Sequence, residues 1–184
     1  LWPAYGKPND DIGYVTRVYK GIKENGAIFS HPNAWPIIAE CILGRGGRAM
    51  KFYDAILPYN QNDQIEIREA EPYSYCQFIM GRDHTAHGRA RHPWLTGTAA
   101  WNFVTVSQYL LGVRPGYDGL VIDPQIGPDV PRWEVTRVAR GATYRISVTN
   151  SGAPGARAHL VVDGQPIEGN TVPYAPAGSV VAVQ

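Results

Sequence analysis

The chain has 184 residues, 17 Lys+Arg against 16 Asp+Glu and a formal net charge of +1, with 44% hydrophobic and 18% charged residues. This is a globular composition, long enough for one or two domains with a real core, and not a disordered one. The balanced charge excludes bulk attraction to nucleic acid or to an anionic membrane, and no run reaches the roughly 18 apolar residues of a membrane span. Two cysteines, Cys41 and Cys76, cannot build the disulfide framework of a small secreted module. The opening Leu1-Trp2-Pro3-Ala4-Tyr5 has no Met and no basic or apolar leader region, and reads as a cut end.

In chain order, Trp35, Ile38, Ala39 and Ile42 stand at i, i+3, i+4 and i+7, one face of a helix. That helix starts after His31-Pro32-Asn33, with Asn33 as its N-cap, and stops at Gly44. Ala49, Phe52, Tyr53, Ile56 and Leu57 repeat the spacing until Pro58 ends it. Tyr59 to Pro93 is polar and reads as one long loop of the functional kind. A third helix is expected from about Thr96 to Leu111, stopped by Gly112. Its apolar residues, Trp101, Phe103, Val104, Val106 and Leu110 among them, surround most of the axis, which predicts packing on several sides. Trp94 and Trp101 are accordingly expected in the core and not as sugar platforms.

Beyond Gly112-Val113-Arg114-Pro115-Gly116 the signal changes to strands. Residues 119–122, 133–138, 143–148, 159–162 and 179–183 are β-rich. Tyr144, Ile146 and Val148 alternate with Thr143, Arg145 and Ser147, giving one buried and one wet face. Arg140-Gly141, Asn150-Ser151-Gly152, Asp163-Gly164 and Glu168-Gly169-Asn170 supply turn chemistry, and Asp163-Gly164 is a hairpin signal. The fold class is α+β, with residues 1–115 helical and 116–184 a small antiparallel β-sandwich.

Asn, Gln, Tyr, Trp and paired charges recur around residues 21–31, 60–69, 71–77 and 89–98. Such side chains suit sugar hydroxyls and ring faces. Thr96-Gly97-Thr98 opens the third helix, where free N–H groups and partial positive charge hold anions. A plain Thr cap without ligand is the other reading of the same residues, and both stay open on this ground alone.

Three strings, Gly21-Ile22-Lys23-Glu24-Asn25-Gly26, residues 70–77 (AEPYSYCQ) and residues 88–101 (GRARHPWLTGTAAW), resemble the C-terminal part of inverting β-glycoside phosphorylases. The similar enzymes are the cellobiose, cellodextrin, cellobionic acid and chitobiose phosphorylases. The resemblance implies the last helices of an (α/α)6 barrel followed by a small β-domain, with apolar edges that further polypeptide covers. It implies cleavage of a β-linked disaccharide by inorganic phosphate, with inversion, to an α-sugar 1-phosphate. By the resemblance, phosphate is held by His31, Gln77, Thr96 and Gly97, and the sugar on the leaving side meets Lys23 and Glu24. The general acid of such enzymes lies in an Asp-Trp-Asn-Asp-like string that this chain lacks, so no catalytic acid is assigned here and the chain alone is expected to be inactive. No metal and no cofactor are implied beyond phosphate as co-substrate. The implied partners are a small disaccharide, phosphate and a second copy in a homodimer, with a cytoplasmic location; which disaccharide is used stays open.

Two other classes remain: a non-catalytic carbohydrate-binding or structural module, and the C-terminal module of a cyclic β-1,2-glucan synthase. His84, His87 and His92 lack a metal-ligand spacing. Arg89 and Arg91 are expected to pair with Glu66, Glu69 or Glu71. Asp63 and those three carboxylates read as sugar ligands or Arg partners, Cys41 as a buried small hydrophobe, and Cys76 as pocket wall.

Overall fold

The computed structural model describes residues 2–127, 129–150 and 159–184, and the chain divides into two compact units. One comprises Leu1–Ile37 with Lys51–Phe103, the other Ile38–Met50 with Val104–Gln184. Helices, a three-stranded sheet in one unit and two sheets in the other give the α+β class.

The first unit contains β1 (Ile28–Phe29), the start of α1 (Ala34–Ile42) and the end of α2 (Gly46–Ile56). A 3-10 segment (Pro58–Gln64), α3 (Ile65–Arg68), β2 (Cys76–Ile79), β3 (Ala90–Pro93) and α4 (Thr98–Val104) follow. Both periodic helices thus form where the apolar spacing puts them. Asn33 does not cap α1: its amide donates to the Phe29 carbonyl at 2.5 Å, and a 3-10 turn over His31–Asn33 leads into the helix instead.

The polar stretch from Tyr59 to Pro93 is not one loop. It holds a 3-10 segment, a short helix and two strands of the antiparallel sheet β1-β2-β3. Strands of two to four residues carry too little apolar alternation to stand out in a polar sequence. Ala27, Phe78 and Met80 supply their small core. The buried Arg68 guanidinium donates to the carbonyls of Ala70, Glu71 and Ser74 at 3.0, 2.8 and 2.6 Å. Those bonds satisfy backbone acceptors that no strand reaches. Fully buried Asn25 does the same for the N-terminal segment, accepting from Tyr5 N–H and donating to the Val18 and Tyr5 carbonyls.

The third helix is shorter as an α-helix than its apolar run suggests. After Val104 it continues over Thr105–Leu110 in π-helical form, and Leu111 N–H bonds Val106 O at 2.8 Å. Gly112 then turns with φ +69°, and a Cβ there would stand 2.0 Å from the Asp123 carbonyl oxygen, so only glycine fits.

In the second unit follow β4 (Val113–Pro115), β5 (Gly119–Ile122), β6 (Arg132–Ala139), β7 (Ala142–Thr149), β8 (Leu160–Val162), β9 (Gln165–Ile167), β10 (Thr171–Pro173) and β11 (Val180–Val183). They make two sheets, ordered β10-β5-β4 and β6-β7-β11-β8-β9. One cluster drawn from both sheets, with Leu120, Ile122, Tyr144, Ile146, Val172 and Val183, forms the core. The hairpins at Arg140-Gly141 and Asp163-Gly164 form as expected, all four residues having positive φ, as a type I′ turn requires. The turn expected at Asn150-Ser151-Gly152 lies largely outside the described residues.

The sheet is not purely antiparallel, because β11 runs parallel to β7, with Val181 opposite Tyr144. Alternation fixes which side chains face the core but is silent on strand direction. The three-residue strands β4, β9 and β10 each contain a proline and gave no strand signal.

Candidate functional site

Every residue of the site described here belongs to the first unit. Its centre is the meeting of two helix starts. His31 opens the 3-10 turn that runs into α1, and Thr96-Gly97 immediately precede α4. The His31 ring nitrogen Nε2 lies 2.8 Å from Thr96 Oγ1. A Cβ on Gly97 would come within 3.3 Å of the same Nε2, so the peptide lies directly against the imidazole. The Trp101 N–H bonds Gly97 O at 3.0 Å, which makes Gly97 the residue where α4 begins. The N–H groups of the first turn have no partner within the helix, so partial positive charge collects beside His31.

Thr96 is itself anchored. Its Oγ1 is 2.7 Å from Thr98 Oγ1 and accepts the Thr98 N–H at 3.2 Å. Thr98 is fully buried and donates its hydroxyl to the Cys76 carbonyl at 3.3 Å. Thr96 Oγ1 thus meets both the Thr98 N–H at the helix start and the His31 ring in one arrangement. Edge-on contact with Phe29, ring centroids 5.5 Å apart, orients His31 from the other side. In the sequence Thr98 stands only as part of the triplet that opens the helix; a second Thr two residues after the first is the signal for its role.

Gln77 follows Cys76 on β2, and its backbone carbonyl accepts the Ser30 N–H at 2.8 Å, which fixes the strand beside the segment that carries His31. Its Oε1 is buried and has no hydrogen-bond partner among the described residues. Lys23 and Glu24 are exposed on a tight turn closed by the Ile22–Asn25 bridge, where Lys23 has φ +48°.

Arg89, Glu71, His84 and His92 have structural partners. Arg89 pairs with Glu69. The Glu71 carboxyl is held below its usual range, first by a backbone hydrogen bond and then by the Trp94 indole, the opposite of what a general acid needs. His84 Nδ1 accepts the Ala86 N–H at 2.9 Å, and His92 meets the Phe78 ring edge-on. Cys76 borders a cavity of about 270 Å³ together with Ser30, Arg68, Tyr75 and Thr98. Burial raises the Cys76 thiol, and also the Tyr75 phenol, where Tyr53 adds to the effect.

Trp94 and Trp101 are not core residues. They are 63% and 41% exposed, each in edge-on contact with another aromatic, Tyr73 and Trp35 respectively. The apolar circumference of α4 therefore leaves part of itself at the surface, with Phe103 68% exposed.

Residues 1–112 match the family described as "Glycosyl hydrolase 94 superfamily, catalytic domain". The chain belongs to this superfamily. It is 61% identical over 175 residues to an N,N'-diacetylchitobiose phosphorylase of Vibrio proteolyticus, covering 94% of this chain and 22% of the relative. It is 57% identical over 178 residues to the enzyme of the same name from Vibrio furnissii, covering 96% and 22%. A solabiose phosphorylase of Paenibacillus borealis is 36% identical over 175 residues, covering 94% and 23%. The chain thus spans about a fifth of the length of these glycosyl hydrolase 94 relatives.

Proposed function

We propose that this glycosyl hydrolase 94 chain supplies the phosphate-binding part of a disaccharide phosphorylase site. The observation that carries the proposal is the 2.8 Å contact between His31 Nε2 and Thr96 Oγ1, made where two helices begin and with Gly97 against the ring. Imidazole, hydroxyl and backbone donors beside helix N-termini are what a phosphate dianion needs. Gln77 Oε1, buried and unpartnered, would accept from a P–OH or a sugar hydroxyl.

In this reading a carboxylic acid from polypeptide outside this chain protonates the leaving oxygen of a β-linked disaccharide. Phosphate, held by His31, Gln77, Thr96 and Gly97, attacks the anomeric carbon from the opposite face and gives the α-sugar 1-phosphate. Phosphate needs no general base; the protein's task is to hold it in line. Lys23 and Glu24, both exposed and so accessible, would meet the sugar on the leaving side. The two diacetylchitobiose phosphorylases, at 61% and 57% identity, favour an N-acetylated disaccharide as substrate. The exposed Trp35, Trp101 and Phe103 would be covered by the remaining helices of an (α/α)6 barrel.

The test is phosphorolysis of N,N'-diacetylchitobiose and cellobiose by the whole protein and by this chain alone. The whole protein is expected to release sugar 1-phosphate only with phosphate present, and the chain alone to release none. His31→Gln and Thr96→Val should each raise the phosphate KM by roughly tenfold or more. Phosphate dependence unchanged in both variants overturns the reading.

A further inference from the structure

The site contains a chain of hydrogen bonds whose direction is set at its buried end. β2 and β3 pair with Cys76 opposite Pro93. Trp94 N–H bonds Tyr75 O at 3.1 Å just beyond this pair, so Cys76 and Pro93 face each other without exchanging backbone hydrogen bonds. Proline has no N–H to give. The carbonyl of buried Cys76 receives no N–H from Pro93 and accepts the buried Thr98 hydroxyl at 3.3 Å.

A carbonyl only accepts, and a threonine hydroxyl has a single proton. With that proton on Cys76 O, Thr98 Oγ1 must accept at 2.7 Å from Thr96. Thr96 has then used its own proton inward. Toward His31 Nε2, at 2.8 Å, it presents a lone pair, and the nitrogen must be the donor. The Thr98 N–H fills the remaining acceptor capacity of Thr96 Oγ1 at 3.2 Å.

We infer that Thr98 is a positioning residue: acting through Thr96, it holds neutral His31 in the Nε2–H tautomer, so that the imidazole faces an incoming oxyanion as a donor without first taking up a proton. The inference rests on the phosphate reading for its purpose, but not for its geometry. In the opposite tautomer a lone pair at Nε2 would face the anion and repel it. Thr96 then serves as the acceptor that the anion displaces from Nε2–H, and once displaced its hydroxyl is free to rotate and donate to the same anion.

The experiment is 15N NMR of histidine-labelled whole protein in alkaline, phosphate-free buffer, with the His31 signal assigned by its loss in His31→Gln. The expected spectrum is that of the Nε2–H tautomer. In Thr98→Val the Thr96 proton loses its acceptor and turns to His31, shifting the ring toward Nδ1–H. Thr98→Ser, which restores the hydroxyl, should return the original spectrum. In parallel, Thr98→Val should raise the phosphate KM roughly tenfold with the disaccharide KM within about twofold of the parent, and Thr98→Ser should rescue it. An Nδ1–H tautomer in the parent protein, or an unshifted tautomer in a folded Thr98→Val protein, overturns the inference. If the valine variant does not fold, the parent and serine spectra decide alone. A parent Nε2–H signal that phosphate does not move upholds the relay and sinks the phosphate reading, so the two failures are distinct.

Discussion

His31 and Thr96, separated by 65 positions in the sequence, are joined through Nε2 and Oγ1 at 2.8 Å. Because Gly97 lies against the same ring, the contact has a steric test. A methyl group on Gly97 would meet Nε2 at 3.3 Å and Cε1 at 3.4 Å, so the imidazole must give by a few tenths of an ångström. Gly97→Ala should leave the fold intact and raise the phosphate KM several-fold, roughly the loss of one hydrogen bond. Phosphate titration of the initial rate, with a thermal melt as the fold control, checks both halves.

Arg68 offers a test of stability independent of function. Its guanidinium satisfies three backbone carbonyls inside the first unit. Arg68→Met keeps much of the volume but removes a donor from all three, leaving Glu71 O only the Ser74 N–H, and should cost about 3 kcal/mol of unfolding free energy in a urea titration. Arg68→Lys should recover only part, because an ammonium cannot reproduce the planar fork.

Asn25→Leu should cost about 2 kcal/mol by the same logic, since Tyr5 N–H and the Val18 carbonyl lose their partner. Limited proteolysis should then cut faster near Tyr5, while cleavage within β6–β7 stays at the parent rate.

The cysteines give a pH prediction. Burial first, and then the Asp123 carboxylate, raise the Cys41 thiol from 9.0 to about 11. At pH 8 its thiolate is about a thousandth of the total, so iodoacetamide should leave Cys41 unmodified in the native protein and label it in urea. The folded state keeps a proton that the unfolded state gives up. The stability this contributes is therefore whole below pH 9 and falls as pH rises from 9 towards 11. Cys41→Ser titrated in urea at pH 8 and pH 10.5 should show a smaller decline than the parent protein.

The helices were legible because Trp35, Ile38, Ala39 and Ile42 report a period directly, and the hairpins because Asp163-Gly164 and Arg140-Gly141 adopt the only backbone such tight turns allow. Strand β1, two residues long, and β9, carrying Pro166, have too few residues for a period to show. The exposure of Trp94 and Trp101 could not be read locally, since an indole looks the same whether its neighbours are present or not. The strings 21–26, 70–77 and 88–101 pointed to His31, Gln77, Thr96 and Gly97 only through resemblance. The contact of His31 with Thr96 is a product of tertiary folding that no window of sequence contains. The role of Thr98 is not legible locally, because its partner, the Cys76 carbonyl, lies 22 positions away in the sequence.

The place of β11 in the five-stranded sheet bears on how the protein is made. Residues 180–183 lie between β7 and β8, so the hairpin β6–β7 and the hairpin β8–β9 have no common edge until those residues are present. During translation the two hairpins must wait, half-assembled and with open edges, for a strand synthesised after both of them, and the sheet closes only once Val180–Val183 have cleared the ribosome exit tunnel.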